Sequence, residues 1–361
     1  MKLLFSRPFS RKTFDTYNIL RKYYHAEQFV LIHEKKSLLF ELVCRLLYGK
    51  IELCNVSGHV DIFKYVCEVH SDEKIVLLPL EESDILEYHK SSVNSDKSEI
   101  LGLMPSESTL EICRNKLILS SFCVEKGIGV PKLFSIDQVE TELLNTPIIA
   151  KPIIGSGSRG IKILKRQEDF HPGSYEKGKY IFQELIPNGE KIEGCFALCA
   201  NGEILTSYCH RRIKTYPRSG GVTVYSKFND NNILNNITSQ VVEQLNYSGL
   251  IMIEYLFDHR DNSYKLIEIN PRLWGSVLLS EAIGTKMLRN YVNVSLGMTM
   301  DKVFQMKSDA GIRWLLPYGI SFLGILEIFN KKTVFVNISY TSFHRALLFH
   351  ILVYFPRIFK R

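Results

Sequence analysis

The sequence lacks most of the features that mark specialised protein classes. Its 361 residues contain eight cysteines but no CxxC pair and no histidine at zinc-finger spacing. The N-terminal residues MKLLFSRPFSRK hold only the short apolar run Leu3–Phe5, whereas a signal-peptide core needs roughly 7–15 apolar residues. Secretion is therefore not expected, and we predict a cytoplasmic protein whose cysteines are reduced, buried thiols.

The sequence also lacks a strong charge bias and an apolar run long enough to cross a membrane. The net charge is +7, and lysine and arginine are dispersed, so nucleic acid is not an expected partner. The run 346–355 is far shorter than the roughly 20 residues that a spanning helix needs. Basic residues flank it, so two interpretations stay open: a helix packed on the domain, or a peripheral contact of this tail with an anionic membrane.

The first hundred residues alternate strand and helix patterns. Strands are predicted at Lys2–Phe5, Phe29–Ile32 and Lys74–Leu80, with amphipathic helical segments between them. This order predicts an α/β domain with a small parallel sheet. The loop SRPFSRKTF after the first strand contains no glycine, so a dinucleotide-binding fingerprint is absent there. A long helix is then predicted from Pro105 to Lys126, and it carries Lys116.

Residues 147–164, PIIAKPIIGSGSRGIKIL, predict a strand, a glycine-rich turn and a second strand. Gly155, Gly157 and Gly160 match GxGxxG, but no helix follows, and the GK[ST] ending of a P-loop is absent. We interpret the turn as a flexible hairpin that covers phosphates, with Lys151 reaching in from the preceding strand. A purely structural glycine hairpin is the alternative.

Residues 249–276, GLIMIEYLFDHRDNSYKLIEINPRLWGS, alternate apolar and polar residues in two runs separated by a turn. Glu268 and Asn270 share one face of the second strand, and Glu254 joins them if the strands pair in register. Carboxylate and amide oxygens are the ligands that Mg²⁺ prefers, and Arg272 suits phosphate oxygens. An exposed acidic hairpin is the alternative. The HRD triplet 259–261 lacks the rest of a protein-kinase signature, so we interpret it as a connector.

Two further segments bear on function. The strand Tyr180–Ile186 is suited to offer backbone hydrogen bonds to adenine, with Glu184 nearby. The segment CHRRIKTYPRSGG contains Arg211 and Arg212 and predicts a loop that binds an acidic substrate, although a solvated basic loop has the same composition.

Taken in series, IIAKPIIGSGSRG, YIFQELIPNGE and IEYLFDHRDNSYKLIEINPRLWGS resemble the motifs of the ATP-grasp superfamily. The resemblance is to its carboxylate-amine ligases, relatives of D-alanine:D-alanine ligase, D-aspartate ligase and the carbamoyl-phosphate synthetase large chain. It implies an α/β (α+β) fold in which a Rossmann-like pre-ATP-grasp domain precedes an ATP-grasp fold of two α+β lobes. We therefore expect domains at 1–105 and 106–310, with a lid region at about 146–190 and a C-terminal tail at 311–361.

The resemblance implies roles for particular residues. Glu254, Glu268 and Asn270 would bind the metal, Arg272 would be the transition-state arginine, and Arg211, with Arg212 as the alternative, would hold the substrate or acyl phosphate. The family's ribose-binding glutamate would fall at Lys191, so Glu190 is the nearest candidate. The implied nucleotide-binding residues are Lys116, Lys151, Gly155, Ser156, Gly157, Ser158, Gly160, Gln183, Glu184, Leu185, Ile186 and Glu190.

The resemblance implies an enzyme that uses ATP and Mg²⁺, with Mn²⁺ as a substitute, to activate a small-molecule carboxylate as an acyl phosphate and join it to an amine. Two alternatives stay open. One is a carboxylase-type or carbamoyl-phosphate-forming enzyme that uses bicarbonate, and the other is a nucleotide-binding protein without catalysis. A homodimer is compatible with either class.

Overall fold

A computed structural model describes residues 1–34, 37–91, 100–155, 157, 159–187, 192–216, 222–302, 310–314, 334–335 and 343–354. The residues 217–221 of the predicted basic loop, the glycine-loop residues Ser156 and Ser158, and Glu190 lie outside the described residues. The loop prediction is wrong for residues 209–216, which belong to the strand Glu203–Tyr216. Within the described residues, no helix is both long and apolar enough to span a membrane.

The N-terminal part is a five-stranded parallel sheet in the order β3-β2-β1-β4-β5. Its strands β1, β2 and β4 are almost entirely buried, as expected for a parallel sheet covered by helices on both faces. The strands are β1 (Lys2–Phe5), β2 (Phe29–His33), β3 (Glu52–Asn55), β4 (Ile75–Leu77) and β5 (Ile100–Leu101). The helices between them are α1 (Arg11–Leu20), α2 (Leu38–Tyr48), α3 (Ile62–Val69) and α4 (Glu82–Lys90).

A helical pair leads from this sheet to the next part of the chain. It consists of α5 (Glu107–Arg114) and α6 (Lys116–Glu125), so the prediction of one long helix is wrong. The break is at Asn115, whose backbone is extended and whose side chain accepts hydrogen bonds from the N–H groups of Leu117 and Ile118. The asparagine therefore ends one helix and caps the next, which makes Lys116 the first residue of α6.

A four-stranded antiparallel sheet follows, in the order β6-β9-β7-β8. Its elements are β6 (Leu133–Phe134), α7 (Val139–Glu142), β7 (Ile148–Pro152), β8 (Lys162–Leu164) and β9 (Tyr180–Glu184). Strands β7 and β8 form the predicted glycine hairpin. Gly155, Gly157 and Gly160 have φ values of 152°, 70° and 75°. A Cβ at Gly160 would lie 2.9 Å from Cγ of Pro152, so this turn requires glycine there.

The third sheet has seven strands in the order β14-β13-β10-β11-β12-β15-β16. Its strands are β10 (Glu193–Ala200), β11 (Glu203–Tyr216), β12 (Val222–Phe228), β13 (Gly249–Asp258), β14 (Ser263–Asn270), β15 (Gly311–Arg313) and β16 (Val334–Phe335). The remaining helices are α8 (Asn232–Gln244), α9 (Leu278–Ile283), α10 (Met287–Ser295) and α11 (Phe343–Phe349). Gly284 (φ 90°) and Lys286 (φ 50°) separate α9 from α10.

One buried cluster joins the first sheet to the third. Leu3 and Val76 from the parallel sheet, Phe196 and Leu250 from the large sheet, and Trp274 after β14 all belong to it. Arg11 crosses the same boundary and donates to the backbone oxygens of Thr223 and Gly275, at 3.1 and 2.8 Å. The parallel sheet is therefore fixed against the large sheet.

The cysteine prediction needs a correction. Cys195 on β10 lies opposite Cys209 on β11, with the two Cα atoms 4.2 Å apart, and the pair forms a disulfide. Cross-strand pairing brings the two side chains together, which no spacing rule for CxxC motifs detects. Cys44, Cys113 and Cys123 are buried thiols as expected.

Candidate active site

The metal-ligand candidates lie on one face of the β13–β14 hairpin. Glu254 is directly opposite Glu268, and Asn270 pairs with Met252 two positions further along. Glu254 and Asn270 are buried. Burial, and then the charge of Glu254, raise the pKa of Glu268 to about 7. The predicted register is confirmed, and the three oxygen-bearing side chains converge.

The same carboxylates fit a divalent cation. Two carboxylates and an amide are the oxygen donors that Mg²⁺ takes from proteins, with phosphate oxygens and water completing its coordination. Burial is the main cause of the raised pKa of Glu268 and the charge of Glu254 adds to it; a bound cation would stabilise the ionised carboxylate against both effects. Within the described part of the chain, no group of three His, Cys, Asp or Glu side chains is clustered for metal binding.

Two lysines approach the carboxylates from other elements. Nζ of Lys116, at the start of α6, lies 3.8 Å from Oε1 of Glu268 and donates to the backbone oxygen of Gly155 at 2.8 Å. Lys151 on β7 is buried, and burial lowers its pKa to about 8 while Glu268 opposes that shift. We call the face of the β13–β14 hairpin that carries Glu254, Glu268 and Asn270 the metal face. The structure thus brings both predicted phosphate-binding lysines to the metal face, beside the glycine hairpin.

Two arginines complete this group. Nη2 of Arg272 donates to Oδ1 of Asn270 at 2.8 Å, and Nη2 of Arg212 donates to Oε1 of Glu254 at 2.5 Å. Both guanidinium groups are mostly buried, with 10% and 18% of their side chains exposed. Each arginine therefore contacts one of the metal-ligand candidates directly.

Arg211 lies on the opposite face of the large sheet. It pairs with Glu193 on β10, whose Oε1 accepts from Nη2 of Arg211 at 3.0 Å. Asn229 and Asn231 donate to the other oxygen of Glu193, at 2.5 and 3.3 Å. Consecutive strand residues point to opposite faces, so only one of the two arginines can reach the metal face. The structure brings Arg212 there, the residue that the sequence offered as the alternative.

The hinge candidates form the end of β9 and the residues after it. The backbone N–H of Glu184 donates to the oxygen of Lys132, and the N–H of Leu185 donates to that of Pro147. Gln183 lies opposite Ile149 on β7, and Ile149 is two residues from Lys151, so Gln183 and Lys151 lie on the same face of the small sheet. Ile186 is buried. Oε1 of Gln183 is a buried acceptor for which the described structure contains no hydrogen-bond partner, so it could accept from a bound base.

The carboxylate of Glu184 is held by two structural contacts. Oε1 accepts from the backbone N–H of Lys132 at 2.9 Å, and Oε2 accepts from Nη2 of Arg260 at 2.7 Å. Arg260 also binds Asp258, and this pairing lowers the pKa of Asp258 to about 2. The turn that we interpreted as a connector is therefore attached to the hinge, a role that its resemblance to an HRD motif did not predict.

Sequence reasoning missed two residues of the parallel-sheet part of the chain. Glu81, just after β4, binds Nζ of Lys12 through Oε1 at 2.6 Å and Nε of Arg272 through Oε2 at 3.2 Å. Burial lowers the pKa of Lys12 to about 8. Both residues follow the carboxyl ends of the neighbouring strands β1 and β4, where the strand order reverses and α/β sheets commonly bind ligands. The position of the two residues after the carboxyl ends of β1 and β4 could have indicated a ligand site from the sequence. Only the packing shows that this edge of the parallel sheet faces Arg272.

Comparison with known proteins identifies the type of domain and the fold. Residues 113–276 match the protein-family model described as "ATP-grasp domain". Solved structures with a similar fold include N5-carboxyaminoimidazole ribonucleotide synthetase from Thermotoga maritima, at 18% identity and a TM-score of 0.56, covering 84% of this chain and 78% of that one. Biotin carboxylase from Campylobacter jejuni is similar at 14% identity and a TM-score of 0.63, covering 86% and 74%. The predicted fold class is confirmed.

Proposed function

Residues 113–276 match the ATP-grasp domain, and on that premise we propose that the chain is an ATP-dependent ligase that activates a carboxylate as an acyl phosphate and joins it to an amine. One observation carries the proposal. Two lysines, two arginines and the three oxygen donors come from different elements and converge on one face of the β13–β14 hairpin. Such a group can bind a metal–nucleotide complex together with a second anion.

In this proposal the nucleotide lies between the small sheet and the large sheet. Lys116 and Lys151 bind phosphate oxygens as point charges, and the glycine hairpin 155–160 covers them with backbone N–H groups. Gln183 and the hinge residues up to Ile186 hold the base. Glu254, Glu268 and Asn270 would hold Mg²⁺, which neutralises phosphate charge when bound.

The arginines act on the second substrate. An oxygen of the substrate carboxylate attacks the γ-phosphorus, the bond to the bridging oxygen breaks, and ADP leaves. Arg212 and Arg272 then stabilise the charge of the acyl phosphate. Attack by the amine nitrogen on the acyl carbon releases inorganic phosphate and a proton. We propose that residues 1–105 supply part of the substrate pocket, through Lys12 and Glu81, and that 106–310 form the ATP-grasp domain with its lid at about 146–190.

The experiment that tests the proposal is a screen for substrate-dependent ADP release with amino acids, uronic acids and small peptides, followed by mass spectrometry of the product. Glu268→Ala and Lys151→Ala should abolish the release. Full activity in either variant would contradict the assignment. Stabilisation by Mg²⁺ and ADP without turnover in any mixture would instead favour the non-catalytic alternative.

A second candidate uses bicarbonate as the carboxylate. It is favoured by the fold similarity to proteins named biotin carboxylase and N5-carboxyaminoimidazole ribonucleotide synthetase. ADP release that depends on bicarbonate, with ¹³C incorporated into the product, would identify it. The cytoplasmic location and the homodimer remain predictions, which cell fractionation and light scattering would test.

A further inference from the structure

Helix α2 presents an apolar face to solvent. Leu38, Leu39, Leu42 and Leu46 are 88%, 68%, 54% and 49% exposed. Phe40, Cys44, Leu47 and Tyr48, on the other side of the same helix, are buried. Leu38, Leu42 and Leu46 follow one another at intervals of four residues, so they form a continuous stripe. Exposed apolar surface of this kind marks an interaction site, since water solvates it poorly.

The C-terminal helix α11 extends this surface. It packs against α2, and Phe349 is anchored by stacking on Phe14, with ring centroids 4.3 Å apart. Leu347 on α11 and Ile351 in the following turn are exposed. We call the outward leucines of α2, together with Leu347 and Ile351, the apolar face.

A basic cleft lies at the C-terminal end of α2. The cleft has a volume of about 290 Å³. Its lining includes the basic residues Arg21, Lys50 and Arg345 and one acidic residue, Glu27. Nη2 of Arg345 lies 3.4 Å from the position that a Cβ on Gly49 would take. The cleft therefore carries an excess of positive charge directly beside the apolar face.

This cleft is separate from the candidate active site. Lys12 lies in the first turn of α1, whereas Arg21 follows the last turn of the same helix. A helix of this length spans roughly 15 Å, so the two basic groups lie at opposite ends of α1. No step of the proposed reaction uses Arg21, Lys50 or Arg345.

We propose that the apolar face and the basic cleft together dock the protein on an anionic membrane surface, with the leucines entering the interface and the cleft binding a lipid phosphate. An outward apolar face with adjacent basic residues is the arrangement by which helices bind anionic lipid surfaces. A second copy of the chain fits less well. Arg21, Lys50 and Arg345 lie together at the C-terminal end of α2, so a parallel pairing of α2 with α2 would bring like charges together.

The first experiment is co-sedimentation of the full chain with phosphatidylcholine vesicles that contain 30% phosphatidylglycerol, and with pure phosphatidylcholine vesicles. Binding should require the anionic lipid and weaken at high salt. The variant Leu38→Ser/Leu42→Ser should lose at least tenfold in vesicle affinity, while Ile233→Ser, which changes an exposed residue on α8, should bind like the wild type. All these positions are exposed, so thermal unfolding should change little.

The second experiment tests the cleft. Lys50→Ala should weaken vesicle binding about fivefold, because a basic residue near an anionic surface contributes about that factor. Lys177→Ala, at an exposed position of the small-sheet region, is the matched control and should bind normally.

Three results would overturn the proposal. They are absence of binding to the anionic vesicles, unchanged binding by the double leucine variant, and loss of binding only when residues 355–361 are removed. The proposal would also be overturned if, without vesicles, the wild type were a dimer and Leu38→Ser/Leu42→Ser a monomer. That result would assign the apolar face to self-assembly. Substrate-dependent ADP release should persist in every variant, so failure of this proposal is distinguishable from failure of the proposed reaction.

Discussion

The contrast between Arg211 and Arg212 is the most direct test of the site. Arg212 contacts Glu254 at 2.5 Å, and both side chains are largely shielded from water. If it stabilises the charge that develops during phosphoryl transfer, Arg212→Ala should lower kcat by about 10²–10³-fold, the usual cost of removing one such donor. Nucleotide binding should change much less, because Lys116 and Lys151 remain. Arg212→Lys should recover only part of the rate, since a lysine keeps the charge but not the planar fork.

Arg211→Ala is the matched control from the adjacent position. Its side chain is 44% exposed and its partner Glu193 keeps two asparagine donors, so the pair contributes about 1 kcal/mol to stability. That loss lowers Tm by about 2–4 °C and leaves kcat almost unchanged. The assays are steady-state ADP release with the substrates found in the screen, and thermal unfolding with and without Mg²⁺ and ADP. Equal losses of kcat in the two variants would refute the assignment of opposite faces.

Further predictions concern the nucleotide pocket and the pH dependence of stability. Lys151→Met should abolish the thermal stabilisation by Mg²⁺ and ADP. Lys162→Met, on the exposed strand β8, is the control and should keep that stabilisation. If Lys151→Met also kept it, Lys151 would not be part of the nucleotide site. Arg260→Ala should raise KM for ATP several-fold at nearly constant kcat, because its Nη2 positions the hinge carboxylate; an unchanged KM would show that the turn only connects strands. Burial raises the pKa of Asp15 to about 7, so its carboxyl ionises at lower pH in the unfolded chain than in the folded one. Stability from this group is present below pH about 4 and is lost as the pH rises to 7, by up to about 4 kcal/mol. Asp15→Asn should therefore raise Tm at pH 8 but not at pH 4, with the exposed Asp137→Asn as a control that shifts Tm at neither pH.

The local patterns predicted the elements well where one periodicity was sustained. Alternation in residues 249–276 predicted both strands and the pairing of Glu254 with Glu268, since two strands joined by a short turn have few available registers. The helix predicted through Asn115 was wrong because apolar periodicity continues on both sides of a residue whose side chain caps the second helix. A pattern of hydrophobicity does not record which backbone N–H groups a side chain will bind.

The choice between the two arginines could not be made from their neighbourhood in the sequence. As neighbours on a strand, the two arginines point to opposite faces of β11. Which of these faces carries the metal-ligand candidates depends on the pairing of β11 with β10 and of β10 with β13, which forms only on folding. The disulfide between Cys195 and Cys209 has the same origin, because the register of two antiparallel strands places these residues opposite each other.

By itself, the sequence determined the alternation of strands and helices in the first hundred residues, both strands of 249–276, the glycine hairpin, and the chemical inventory of lysines, carboxylates and arginines, because these depend on local periodicity and residue type. Tertiary structure alone decided that Arg212 rather than Arg211 faces the metal-ligand candidates, and that Glu81, which also binds Lys12, reaches Arg272 from the parallel-sheet part of the chain. It also decided that the leucines of α2 remain outside the core. These outcomes depend on which faces of distant segments are packed together, and no single segment carries that information.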